Sequence, residues 1–121
     1  MARVLVVDDD ALVRDVLKEH LTKAGHEVML APDGAAGVEA ARTWRPDLVL
    51  LDFEMPTLAG EGAFERFRSH PGMADIPVVF LSSLPLSRQV GRVPIARDVR
   101  FLRKPVTAAT LFGAMKDLLG S

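Results

Sequence analysis

Three consecutive aspartates, Asp8, Asp9 and Asp10, close the first apolar run of this 121-residue chain, and Asp52 closes a later one. Ser82 and Lys104 stand near the ends of two further runs. If Asp8, Asp9 and Asp52 converge, each pair at ~4 Å repels by roughly 4 kcal/mol at an effective dielectric of ~20, less wherever water screens it. Such a cluster persists only with protonation, a neighbouring cation or a bound metal. Oxygen donors without cysteine favour a hard divalent ion, and an open site with few carboxylates suits Mg²⁺ better than a closed Ca²⁺ cage. The Lys104 ammonium and the Ser82 hydroxyl are groups that hold a phosphoryl oxygen. An acidic nucleophile, a hard metal, a hydroxyl and a lysine together specify phosphoryl transfer. Taken singly, each residue has an ordinary alternative. The aspartates can end strands and cap helices, Ser82 can sit in a turn, and Lys104 can be a solvated lysine. Asp10 is assigned the capping role.

The elements that must position these residues follow from hydrophobic period. Val4–Val7 is an unbroken, β-branched-rich run, as expected of a strand buried on both faces. Leu12, Val13, Val16, Leu17 and Leu21 then recur at helical spacing until Gly25 stops the helix. Glu27–Leu30 reads as a second strand, and Asp33-Gly34 starts a helix through Ala35–Arg42. Leu48–Leu51 is a third strand, Ala63–Arg68 a helix, Val78–Leu81 a fourth strand and Val99–Leu102 a fifth. Thr107 caps a closing helix striped by Leu111, Phe112, Met115, Leu118 and Leu119. Five β-α units with buried strands require crossovers, hence a parallel sheet with helices on both faces. The expected architecture is a flavodoxin-like, doubly wound (βα)5 sandwich with strand order 2-1-3-4-5 and a crevice between strands 1 and 3. Between Ser82 and Phe101, Pro85, Gly91 and Pro94 interrupt any long fourth helix. A short helix near Ser87–Gly91 and an irregular connection are expected there.

Composition narrows the class. The chain is 49% hydrophobic and 26% charged, ordinary for one globular domain. Fifteen Lys+Arg against sixteen Asp+Glu leave a net charge of -1, which disfavours nucleic acid as a direct partner. Without cysteine there is no disulfide or thiolate chemistry, and a reducing, cytoplasmic setting fits. No apolar run approaches the ~20 residues of a membrane helix, and the N-terminus does not read as a signal peptide. His20, His26 and His70 lack metal-ligand spacing and read as surface histidines; Trp44 reads as packing.

With these residues in place, the chain resembles the receiver domains of two-component response regulators over about Arg3 to Leu119. The motifs are Val4–Val7 followed by Asp8-Asp9-Asp10, Leu50-Leu51-Asp52-Phe53-Glu54-Met55-Pro56 with Gly60 four residues on, Pro77–Ser83, and Lys104-Pro105. Each is weak alone; four in order at these spacings are specific. The resemblance implies that Asp52 takes a phosphoryl group from a phosphohistidine on a sensor histidine kinase or histidine phosphotransfer protein. It implies Mg²⁺ held by Asp9, Asp52 and the backbone carbonyl of Glu54, with Asp8 orienting a metal-bound water. Lys104 would pair with the phosphoryl oxygens, and Ser82 would move to hydrogen-bond them. Phe101 would be the coupled switch residue, turning inward when Ser82 is drawn to the site, with a change of conformation at the face of the fourth helix, fifth strand and fifth helix. Such a domain is a self-phosphorylating and autodephosphorylating switch rather than a turnover enzyme. An output domain, an effector protein or a phosphorylation-dependent homodimer are the options downstream, and a receiver at the N-terminus of its parent is the simpler expectation.

The departures from the family pattern are local. Ser82 stands where Thr is frequent and keeps the hydroxyl, Phe101 replaces a frequent Tyr, and Ala59 precedes Gly60 where Asp is common. Arg88, Arg92, Arg97, Arg100 and Arg103, with Asp98 as the one acid in Leu84–Asp98, read either as a solvated surface or as a basic face for an acidic partner. Glu54 and Leu84 flank the expected path of attacking water. Two rivals remain. A haloacid-dehalogenase-type phosphatase would use Asp8 and Asp10, but Leu12 occupies its fifth motif position and Asp52 would be unexplained. A pseudo-receiver would use the same fold as a phosphorylation-independent binding or dimerisation module.

Overall fold

The computed structural model describes residues 1–54, 60–83 and 98–120. Five strands, β1 (Arg3–Val7), β2 (Glu27–Ala31), β3 (Leu48–Asp52), β4 (Val78–Ser82) and β5 (Val99–Arg103), form one sheet of order β2-β1-β3-β4-β5. Every pairing is parallel, with Val7 opposite Leu51, Asp52 opposite Leu81 and Ser82 opposite Arg103. The expected doubly wound order is the observed one. Helices α1 (Ala11–Lys23), α2 (Gly34–Trp44), α3 (Gly60–Ser69) and α4 (Ala108–Leu119) cover the two faces.

The unbroken apolar runs have a direct explanation in the packing. Successive side chains point to opposite faces of a strand. Leu5, Val7, Val49, Leu51, Val78 and Phe80 therefore pack toward α2 and α3 with Ala41, Ala63, Phe64 and Phe67. Val4, Val6, Leu48, Leu50, Val79 and Leu81 pack on the other face with Leu17 and Leu21 of α1 and Leu111 and Met115 of α4. The three inner strands are buried almost throughout, whereas the edges β2 and β5 are only half-buried. Gly37 permits a close helix approach: a Cβ there would stand 2.7 Å from a Val7 methyl.

Side chains set the helix starts. Asp10 accepts from the N–H groups of Leu12 and Val13, Asp33 from Ala36, and Thr107 from Thr110. Gly25, at φ +91°, makes the turn from α1 to β2 in a conformation other residues resist. The site-distant end of the sheet is fastened by Arg3. Its guanidinium lies 5.6 Å from the Trp44 ring centre and donates to the Trp44 carbonyl at 2.8 Å. His26 departs from the surface reading: it is half-buried, and its Nδ1 accepts from Ala2 N–H at 3.0 Å. Burial, with repulsion from the chain terminus, holds its pKa below the ordinary 6.5. Among the described residues no helix is long and apolar enough to cross a membrane. The expected short helix at Ser87–Gly91, and Leu84, Arg88, Arg92 and Arg97, lie outside the described residues. Asp98 pairs with Arg68 at 2.9 Å.

Candidate functional site

The parallel register brings the carboxyl ends of β1 and β3 side by side. Asp8, directly after β1, is fully buried, and Asp52, the last residue of β3, is 2% exposed. Asp9 is exposed on the rim, and one carboxylate oxygen from each of the three lies within 4.8 Å of the others. Backbone contacts fix the two buried acids. Asp8 Oδ1 accepts from the Asp10 N–H at 2.9 Å, and Asp52 Oδ1 accepts from the Glu54 N–H at 3.1 Å. Arg14, one turn into α1, donates to the Asp8 carbonyl at 2.7 Å. Arg14 is not among the residues expected at the site, although its place four residues after the cap Asp10 sets it one helical turn from the acidic run.

Lys104 arrives from the far side. It follows β5, and its backbone N–H donates to the Ser82 carbonyl at 2.7 Å, continuing the β4–β5 ladder by one residue. Its Nζ lies 2.9 Å from Asp8 Oδ2 and 3.4 Å from Asp52 Oδ1. The peptide bond to Pro105 is cis. Burial alone would lower the lysine pKa, but contact with Asp8 and the charges of Asp52 and Asp8 outweigh it and raise it.

Charge is unbalanced here. Among the described residues three carboxylates face one ammonium, so the fully ionised cluster carries two negative charges in excess, matching a divalent cation. Asp52 registers the excess. Burial first, then repulsion by Asp8, push its pKa from 3.8 to about 7 against the opposing pull of Lys104 and the Glu54 N–H. The all-oxygen donor set and this surplus fit a hard divalent ion.

The Glu54 side chain makes a contact beyond the carbonyl role expected of this residue. Its carboxylate turns to the end of β4, accepting from the Ser82 hydroxyl and, through Oε1, from Ser83 N–H at 3.2 Å and Ser83 Oγ at 3.1 Å. The strand order held the missing signal, because β3 and β4 are neighbours and the residues just beyond them face one another. Phe101 is half-buried and stacked on its cross-strand partner Phe80, with ring centres 5.1 Å apart. Phe53, the residue after Asp52, packs edge-on against both Phe80 and Phe101. Asp52, Phe53 and Lys104 thus share the carboxyl end of the sheet, and Phe53 joins them to the Phe80–Phe101 stack at mid-strand.

A doubly wound sheet with its acidic cluster at the β1/β3 crevice defines a class of α/β domains that bind at the carboxyl edge. Within that class the chain belongs to the response regulator receiver domain family, whose model matches residues 4–116. It is 36% identical over 121 residues to Protein PilH of Pseudomonas aeruginosa, covering 98% of both chains. It is 38% identical over 84 residues to the DNA-binding dual master transcriptional regulator RpaA of a Synechocystis strain, covering 69% of this chain but 35% of that protein. It spans about half the length of several mycobacterial relatives named response regulator MprA. Among solved structures, the receiver domain of the sensor histidine kinase PA1611 from Pseudomonas aeruginosa superposes with a TM-score of 0.87. The two are 26% identical, with 99% of this chain and 98% of that one covered, and that structure has a magnesium ion coordinated in its active-site cleft.

Proposed function

We propose that residues 1–121 form a single receiver domain that works as a phosphorylation-controlled switch, with Asp52 as phosphoacceptor. The buried Asp8–Asp52 pair bridged by Lys104 carries this reading, because it provides a carboxylate nucleophile and a fixed cation beside it. One Asp52 oxygen forms the new O–P bond as the P–N bond of a phosphohistidine breaks, and the electron pair returns to the imidazole nitrogen. Asp8, Asp9, Asp52 and the Glu54 backbone carbonyl are the groups that would hold Mg²⁺. When bound, the ion neutralises the excess carboxylate charge and draws phosphoryl oxygens into the pocket. Lys104 orients and balances the phosphoryl oxygens, and Ser82 turns its hydroxyl toward them. Phe101 and the face of β5 and α4 transmit the change to an effector or a second copy.

The decisive measurement is intact-protein mass after incubation with Mg²⁺ and acetyl phosphate. One phosphoryl adduct is expected, absent in Asp52→Asn and absent with EDTA. No adduct together with no beryllofluoride binding would favour a phosphorylation-independent binding module instead.

The donor surface has support of its own. Leu12 is 71% exposed and Val16 42%, which is unusual for large apolar side chains on a helix packed against a sheet. With Val13, Leu17, Pro105 and Val106 they line a groove of about 360 Å³ whose lip includes Lys104. A protein helix seated there would present a phosphohistidine at Asp52. Replacing Leu12 with Arg is expected to slow transfer from a phosphorylated histidine phosphotransfer protein about tenfold, a typical cost for an interfacial anchor. Labelling by acetyl phosphate, which needs no helix contact, continues. Equal slowing of both reactions would remove the docking assignment.

A further inference from the structure

Lys104 closes one side of the pocket. At its β4 side Glu54 makes contacts that the transfer chemistry does not require. Its carboxylate receives the Ser82 hydroxyl, the Ser83 N–H at 3.2 Å and the Ser83 hydroxyl at 3.1 Å. A carboxylate and a phosphoryl group offer donors the same thing, anionic oxygens that accept charge-assisted hydrogen bonds. Ser82 is 1% exposed and follows Leu81, the register partner of Asp52, so its hydroxyl can serve either acceptor but not both fully.

We infer that Glu54 is a positioning residue acting as an internal competitor: its carboxylate holds the Ser82 and Ser83 donors in the unphosphorylated chain and gives up Ser82 when an anion occupies Asp52. The inference rests on the phosphoacceptor reading of Asp52. A two-state element shifts only by the difference in interaction between its states. Breaking the Glu54 contacts therefore subtracts from the stability of the phosphorylated form, and the strength of the latch sets how far phosphorylation drives the switch. Ser83 anchors the carboxylate from outside the pocket, so it tunes the latch without being part of the phosphoacceptor site.

The test is beryllofluoride affinity in excess Mg²⁺, measured by titration calorimetry on the wild type, Glu54→Ala, Glu54→Gln, Ser83→Ala and the Glu54→Ala/Ser83→Ala double variant. Every variant keeps the Glu54 backbone carbonyl. Binding is expected to tighten about tenfold in Glu54→Ala, the equivalent of one charge-assisted hydrogen bond, and about threefold in Ser83→Ala. Glu54→Gln keeps an acceptor and should fall between wild type and Glu54→Ala. In the Glu54→Ala background Ser83→Ala should have no further effect. If Glu54 acts only by its charge, Ser83→Ala leaves affinity unchanged and Glu54→Gln equals Glu54→Ala; that pattern, or weaker binding in Ser83→Ala, overturns the latch. A wild type that binds no beryllofluoride removes the phosphoacceptor reading and the latch with it. Normal wild-type binding with an inert Ser83→Ala removes the latch alone.

Discussion

Asp52→Asn is expected to stabilise the metal-free chain at pH 8 by about 2–4 kcal/mol, because a shift from 3.8 to about 7 corresponds to roughly 4 kcal/mol of penalty on the ionised form. The sign follows from proton binding. Between these two pKa values the folded chain keeps a proton that the unfolded chain has released, so this group's contribution falls as pH rises from 3.8 to about 7. Above that range the penalty is complete. The advantage of the Asn variant is therefore largest at pH 8 and should disappear near pH 4. Urea unfolding in EDTA at both pH values measures it. Excess Mg²⁺ should narrow the gap at pH 8, since a ligand that binds only the folded state stabilises it by mass action and the variant has lost one donor. An Asn variant no more stable than wild type at pH 8 would mean that Lys104 already neutralises the pocket.

The opposite result is expected at Lys104. Removing the ammonium in Lys104→Met leaves Asp8, which has no exposed surface, beside Asp52 with no cation in contact among the described residues. Breaking a buried ion pair from one side typically costs about 3–5 kcal/mol. Lys104 is itself 20% exposed, so solvent screening brings the expectation down to about 2–4 kcal/mol. The two substitutions should not add. In the Asp52→Asn/Lys104→Met double variant the stranded charge is halved, and a coupling of about 1–3 kcal/mol is expected. Strict additivity in urea unfolding would show that the lysine interacts with Asp8 alone.

The parts of this architecture that could be read from the chain were those written in contiguous residues. Val4–Val7, Leu48–Leu51 and Val78–Leu81 are apolar without alternation because both faces of an inner strand are covered, and that condition leaves a mark no surface strand shares. The acids and the lysine just past the strand ends could then be placed by topology before any chemistry was considered. Boundaries drifted by a residue or two where caps and ladder ends share the backbone, as at Arg3, Ala31 and Arg103. The direction of a side chain was a different matter. That Glu54 reaches to β4, and that His26 takes a hydrogen bond from Ala2, depend on partners 28 and 24 residues away. Such choices are settled by which donors are left over when the sheet assembles, and no local pattern records them. Pro85, Gly91 and Pro94 speak against a long helix and for a short one near Ser87–Gly91, an expectation that lies outside the described residues.

Trp44, the single tryptophan of the chain, is fastened by Arg3 at the amino edge of the sheet, whereas Asp52 lies at the carboxyl edge. Five-residue strands separate those edges by about 16 Å. Intrinsic fluorescence in this protein is therefore expected to report global unfolding and to change little while the acidic pocket fills and empties, so occupancy calls for a reporter placed at the other edge.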